Sequence, residues 1–201
     1  MAPMENLRAD FERVRATLEG GPTYRSFHAL CAPGFHAVLV YRFGNWALGQ
    51  RALVRMPLNI VYQLLNLLVR ICWGIEIPRA ARIGPGLYLA HLGGICVSRR
   101  AVIGRNCALS QQVTIGVGGH GARFGAPVIG DDVYIAPGAR IYGRICVGNN
   151  VKIGPNTVVG DDIPDDAVVA LDPGYRIVSY RGNRSAGAAT PAAGRRSAST
   201  G

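Results

Sequence analysis

An imidazole is the side chain best suited to take a proton from a hydroxyl at neutral pH, and this sequence has four, at His28, His36, His91 and His120. The first two fall in a stretch with helical patterning, where a structural or surface role is expected. His91 is the third residue of the hexapeptide Leu89-Ala90-His91-Leu92-Gly93-Gly94. Position alone makes it a surface imidazole pointing away from any core. His120 lies with Arg123 in the Gly-rich run Gly118–Gly125, where it competes with His91 as a base or lines a site. The five cysteines (Cys31, Cys72, Cys96, Cys107 and Cys146) form no CxxC pair and no metal-ligand spacing, so no metal is expected. They read as reduced, buried thiols of a cytosolic protein.

The elements that must position these groups follow from periodicity. Between about residues 75 and 172 the aliphatic residues recur every six positions: Ile77, Ile83, Leu89 and Ile95, then Ile103, Leu109 and Ile115, and later Ile129, Ile135, Ile141, Val147, Ile153 and Val159. A small residue usually follows, as at Gly84, Gly104, Gly130 and Gly148. Neither a helix nor a simple strand has this period. Six is the repeat of a parallel β-helix, in which three short strands make one triangular coil and neighbouring coils stack. Two breaks interrupt the repeat, a two-residue insertion placed between Ile95 and Ile103 and the excursion Val117–Val128. Loops ejected from a rigid scaffold are where sites tend to be built.

Upstream, Leu7, Phe11, Val14 and Leu18 lie on one helix face and Gly20-Gly21-Pro22 stops it. Further helices are expected over about 35–48 and about 58–73, the latter beginning after Pro57. That last stretch is the only membrane candidate, and its Asn59, Gln63, Asn66 and Arg70 make it too short to span. A buried amphipathic helix is expected there, with contact at a membrane surface left open. The expected organisation is a helical N-terminal segment (1–75), a left-handed parallel β-helix of hexapeptide repeats (76–180) and a disordered basic tail (181–201).

The net charge is +10 and the chain holds 27 Gly. Part of the excess sits in the tail, at Arg181, Arg184, Arg195 and Arg196, and no basic run is interleaved with aromatics. No nucleic-acid partner is therefore expected. The first residues lack a basic region followed by an apolar one, so the expected location is the cytoplasm.

Residues 33–180 resemble the serine acetyltransferases and their relatives in exopolysaccharide gene clusters. The likeness is carried by Pro33-Gly34-Phe35-His36-Ala37, by Ile75-Glu76-Ile77-Pro78 with Ala80-Ala81-Arg82-Ile83-Gly84, by His91-Leu92-Gly93-Gly94-Ile95 and by Gln112-Val113-Thr114-Ile115-Gly116. The resemblance implies acetyl-CoA as co-substrate and a homotrimer. It implies His91 as the base that deprotonates the acceptor hydroxyl, worth roughly 10²–10⁴-fold, with Glu76 as its orienting carboxylate. It also implies backbone contacts to the cofactor near Gly116, Ala136 and Gly154. An amide near Gly116–Val117 would stabilise the oxyanion, and Lys152 would meet a CoA phosphate. His120 and Arg123 are the candidate acceptor-binding residues.

The sequence departs from the serine enzymes in two places. Ala90 stands where they carry aspartate before the histidine, and Gly125-Ala126-Pro127 where they carry Arg-His before proline. The end, Ser199-Thr200-Gly201, also lacks the isoleucine that docks a sulfhydrylase, so no such complex is expected. These departures favour the exopolysaccharide (colanic-acid-type) enzymes and a sugar or polysaccharide-precursor hydroxyl as acceptor. A divergent serine O-acetyltransferase and a non-catalytic trimeric scaffold are the alternatives.

Overall fold

The computed structural model describes residues 3–171, with side chains from Asn6 onward. The basic tail expected over 181–201, with its four arginines, lies outside the described residues. Four helices come first: α1 (Pro3–Ala16), α2 (Pro22–Cys31), α3 (Pro33–Leu48) and α4 (Ala52–Trp73). α2 and α3 each begin on a proline, whose missing N–H costs nothing at a helix start. α2 escaped the periodicity because its Tyr24, Phe27 and Leu30 are exposed. α4 begins six residues before the expected position, and Pro57 is accommodated inside it. The expectation that this helix is buried is also corrected, since only Tyr62 and Val69 are.

From Ile75 the chain winds into a left-handed parallel β-helix. Its short strands are β1 (Ile75–Glu76), β2 (Arg82–Ile83), β3 (Tyr88–Leu89), β4 (Ile95–Val97), β5 (Val102–Ile103), β6 (Ala108–Leu109), β7 (Thr114–Gly116), β8 (Val128–Ile129), β9 (Tyr134–Ile135), β10 (Arg140–Tyr142), β11 (Cys146–Val147), β12 (Lys152–Ile153), β13 (Val158–Val159) and β14 (Val168–Val169). They form three parallel faces. Face A stacks β1-β4-β7-β10-β13, face B stacks β2-β5-β8-β11, and face C stacks β3-β6-β9-β12-β14. The aliphatics of the six-residue period point inward, Ile103, Leu109, Ile115, Ile129, Ile135 and Ile153 each at most 2% exposed.

The register relocates one of the two breaks. Ile75 pairs with Ile95 and Val97 with Ile115, so Val97 is the true successor of Leu89 in the inward series. The spacing from Leu89 to Val97 is eight, whereas Val97 to Ile103 is six. The two extra residues therefore lie at the corner between faces C and A, in the turn that carries His91. Ile95 misleads because it is a second inward residue on the same strand, 1% exposed.

The corner between faces B and C has no such break, and two features fix it. Gly84, Gly104, Gly130 and Gly148 stack so closely that a Cβ on one would strike the backbone of the next coil. Below them Gly86, Asn106, Asp132, Asn150 and Asp166 all take positive φ, a conformation that glycine, asparagine and aspartate enter most readily. Their side chains form rungs, Asn106 Nδ2 donating to Asp132 Oδ1 (3.2 Å) and Asn150 Nδ2 to Asp166 Oδ1 (2.7 Å). In Gly104→Ala the new methyl would meet the Gly130 carbonyl, backbone that cannot step aside. Its expected cost is about 1–3 kcal/mol, read as a lower urea midpoint with unchanged slope.

The helices plug the first coil. Asp10 of α1 and Arg42 of α3 form a buried pair with bonds of 2.8 and 3.1 Å. Arg42 also donates to the carbonyls of Ile83 (2.7 Å) and Gly84 (2.6 Å), and Asp10 accepts from the amides of Gly86 and Leu87 (2.8 Å each). Tyr41 Oη donates to Ala81 O at 2.8 Å.

Of the five cysteines only Cys107 is buried, and the other four are exposed, which corrects their expected burial. Cys31 and Cys72 lie on helices whose outer sides face solvent, and Cys96 and Cys146 on the outer side of their strands. Burial pushes the Cys107 thiol up to about 11, so it stays protonated and unreactive at neutral pH.

Candidate active site

His91 stands on the widened corner between faces C and A. Glycines build that corner: Gly93 and Gly94 have φ of 91° and 69°, and Gly74 directly below has 60°. The Gly93 amide donates to Trp73 O (2.9 Å), and Gly93 O accepts from the Gln112 amide (2.8 Å). The turn is thus clamped between the coils above and below it while His91 and Leu92 remain exposed. The His91 ring makes no hydrogen bond to the described residues.

Glu76 projects from face A in the coil below, in register with Cys96, and is close to the same corner through Gly74. Its carboxylate lies 3.9 Å from Arg70 Nε, both side chains half exposed. The expected hydrogen bond between Glu76 and His91 is therefore not formed in the single chain. Partial burial first, and Glu76 second, push the neighbouring Cys96 thiol up. Glu76 and Cys96 separate two open clefts between α4 and face A. One, of about 410 Å³, is lined by Arg70, Ile71 and Gly94, and the other, of about 510 Å³, by Asn66, Arg79, Ser98 and Arg99.

The candidate cofactor residues divide between two edges. Ala90, Ser110, Ala136 and Gly154 stack in one column, each amide donating to the coil above at 2.7–3.0 Å. Ala136 and Gly154 therefore share the edge on which His91 stands, two and three coils away. At roughly 4.8 Å per coil, that is about 10 and 14 Å along the edge. Their amides are committed to the ladder, so what they offer a ligand is close approach to a column of small residues rather than a hydrogen-bond donor. Lys152 lies on β12, which ends just before Gly154, and is exposed, its Nζ 5.8 Å from the Tyr134 ring centre. Gly116 is elsewhere. It ends β7 in register with Tyr142, at the corner between faces A and B.

The second excursion leaves from that A–B corner and closes on itself. Gly118 and Gly125 exchange two bonds of 3.0 Å, and a short 3₁₀ turn (Gly121–Arg123) forms the tip. Arg123 Nη1 meets Asp161 at 2.7 Å, and the Arg123 carbonyl accepts from the Arg144 amide at 2.9 Å. Arg123 is thereby engaged with its own chain, and His120 is exposed at the base of the tip. Within one chain His91 and His120 lie on opposite edges of face A. The Asn/Asp rungs and the Asp10–Arg42 clamp were not anticipated. An asparagine or aspartate two residues after Gly104, Gly130 and Gly148 was the available signal for the first. A salt bridge across 32 residues leaves none for the second.

The family model described as bacterial transferase hexapeptide (six repeats) matches residues 126–161. The six-residue solenoid and this match, with the relatives that follow, define a hexapeptide-repeat acyltransferase. The serine acetyltransferase of Synechococcus elongatus is 34% identical over 182 residues, covering 90% of this chain and 70% of its own length. That of Bacillus subtilis is 32% identical over 175 residues, 86% of this chain and 77% of the relative. The chain belongs to the serine acetyltransferase family.

Solved structures agree. Neisseria gonorrhoeae serine acetyltransferase in complex with serine superposes with a TM-score of 0.68 at 30% identity, covering 87% of this chain and 68% of that one. A serine acetyltransferase in complex with CoA gives 0.68 at 29%, covering 85% and 68%. Isoform 3 from Entamoeba histolytica, in complex with cysteine, gives 0.69 at 25%, and this chain spans only 61% of its length.

These relatives overturn the sugar acceptor and the closer likeness to exopolysaccharide enzymes. The residues behind that expectation have a local explanation. Gly125 is pressed against Arg144, where a Cβ would lie 2.8 Å from the arginine Cβ, and Pro127 is buried. Gly125-Ala126-Pro127 thus serves the packing of the excursion and carries no information about a sugar.

Proposed function

We propose that this chain is a serine O-acetyltransferase. The co-substrate is acetyl-CoA. His91 removes the proton from the serine hydroxyl as its oxygen attacks the thioester carbonyl. The tetrahedral intermediate expels CoA as a thiolate, which takes the proton back from the imidazolium, leaving O-acetylserine and CoA. The observation that carries this reading is the 34% identity to a serine acetyltransferase across 90% of the chain. Two features support it. The clefts beside Glu76 offer charge of both signs, from Glu76 and Arg99, as a zwitterion requires. The column of small residues through Ala136 and Gly154 runs to His91 on one edge, where a long flexible pantetheine arm would lie.

The working unit proposed is a homotrimer. Gly116 and the His120 excursion occupy the edge of face A opposite His91, so a site using both edges takes them from two copies. The test is CoA release measured with L-serine and, separately, with sugar acceptors. Turnover is expected with serine, from a species sedimenting as three 21.4 kDa chains. Turnover with sugars and none with serine would refute the reading.

A further inference from the structure

Helix α4 meets the protein through Tyr62 and Val69, with the polar Asn59 and Asn66 beside them, and turns an apolar side toward solvent. Asn59, Gln63, Asn66 and Arg70 recur at intervals of three and four, so they form one stripe. That stripe flanks the protein-facing side and touches the rest of the chain at two points: Asn59 Oδ1 accepts from Arg79 Nη1 at 2.6 Å, and Arg70 Nε lies 3.9 Å from Glu76. The stripe opposite Tyr62 and Val69, formed by Leu53, Met56, Ile60, Leu64, Leu67 and Ile71, has the same periodicity and is 49–89% exposed throughout. A helix that gained its stability from this protein's core would bury that stripe. This one has mean hydropathy 1.4 over its apolar window, of which 11% is buried.

Charge identifies what covers it. Residues 20–75 contain no Asp or Glu, yet include Arg25, Arg42, Arg51, Arg55 and Arg70. Arg51 and Arg55, at the start of α4, are exposed and form no ion pair among the described residues. An exposed apolar helix face on an acid-free segment rich in arginine is the composition of a helix lying in the interface of an anionic bilayer. A second copy of α4 would instead bring two acid-free helices together and leave those arginines without a counter-charge. Lying in the plane also suits α4 better than spanning, which would pull Tyr62, Val69 and Asn59 off the rest of the protein and carry Gln63, Asn66 and Arg70 into hydrocarbon.

We propose that α4 is an in-plane anchor that seats this protein on an anionic membrane surface, with about 33 Å of helix lying along it. The far end of the stripe, Leu67 and Ile71, borders one cleft beside Glu76, whereas Ile60 and Leu64 line neither, so a test at those two positions leaves the acceptor site untouched.

The test is flotation of the full chain with vesicles of phosphatidylcholine containing about one third phosphatidylglycerol, against phosphatidylcholine alone. Binding to the anionic vesicles is expected to exceed that to neutral ones by on the order of tenfold and to weaken as salt is raised. The double variant Ile60→Glu/Leu64→Glu is expected to lose flotation while keeping the parent's sedimented mass, melting temperature and rate of acetyl transfer in free solution. Equal flotation with neutral vesicles, none with anionic ones, or flotation retained in the double variant would each overturn the anchor. A drop in sedimented mass in that variant would do the same, by making this face a contact between copies.

Discussion

His91→Ala is expected to lower kcat for acetyl transfer by roughly 10²–10⁴-fold and to leave the fold intact. A hydroxyl at neutral pH is almost wholly protonated and attacks a thioester poorly, so removing the base exposes the uncatalysed proton transfer. The separation of chemistry from stability is a property of the corner. The His91 side chain is exposed, no described residue is hydrogen-bonded to its ring, and the turn is held by the Gly93 backbone at 2.9 and 2.8 Å. Truncation therefore opens no cavity and orphans no buried group. Rates of CoA release at saturating serine, read beside melting curves, distinguish the two effects. A variant within about tenfold of the parent would remove His91 from the mechanism.

The second large effect falls on stability. Asp10→Ala is expected to destabilise the chain by about 3–5 kcal/mol, because it removes one partner of a buried pair and leaves the other charged. The carboxylate is fully buried and accepts from four donors: Arg42 Nε and Nη2 and the amides of Gly86 and Leu87. All four lose their acceptor at once. Arg42 keeps the Ile83 and Gly84 carbonyls, but those are dipoles and cannot neutralise it. Urea unfolding is the measurement, with the loss appearing as a lower midpoint. A loss below about 1 kcal/mol would mean that water reaches Arg42 once the carboxylate is gone.

What the sequence revealed was set by how local each signal is. The inward aliphatics and their companion glycines recur at fixed spacing, so the β-helix could be read directly. His91 could be found because a repeat makes any interruption conspicuous. Its exact setting could not, because Ile95 and Val97 both point inward and either could stand for the repeat. The direction in which α4 faces was beyond reach for a related reason. Periodicity shows that a helix has an apolar stripe, and only the packing of Tyr62 and Val69 shows that the stripe is not the side that meets the protein. The acceptor was misjudged because three substituted positions, Ala90, Gly125 and Ala126, were read as pocket chemistry, while one of them, Gly125, is occupied with packing.

The plug on the first coil also bears on how the molecule is made. Every strand after β3 adds to a strand one coil earlier, so its partners have already been synthesised. The Asp10–Arg42 clamp engages residues no later than Leu87, and it closes the N-terminal end of the stack before the later coils exist. A chain emerging from the ribosome meets a finished template and can grow by one coil at a time, with no contact waiting on distant sequence. Growth of this kind has a direction, and among the described residues the far end carries no comparable closure: Val168 and Leu171 are left 75% and 53% exposed.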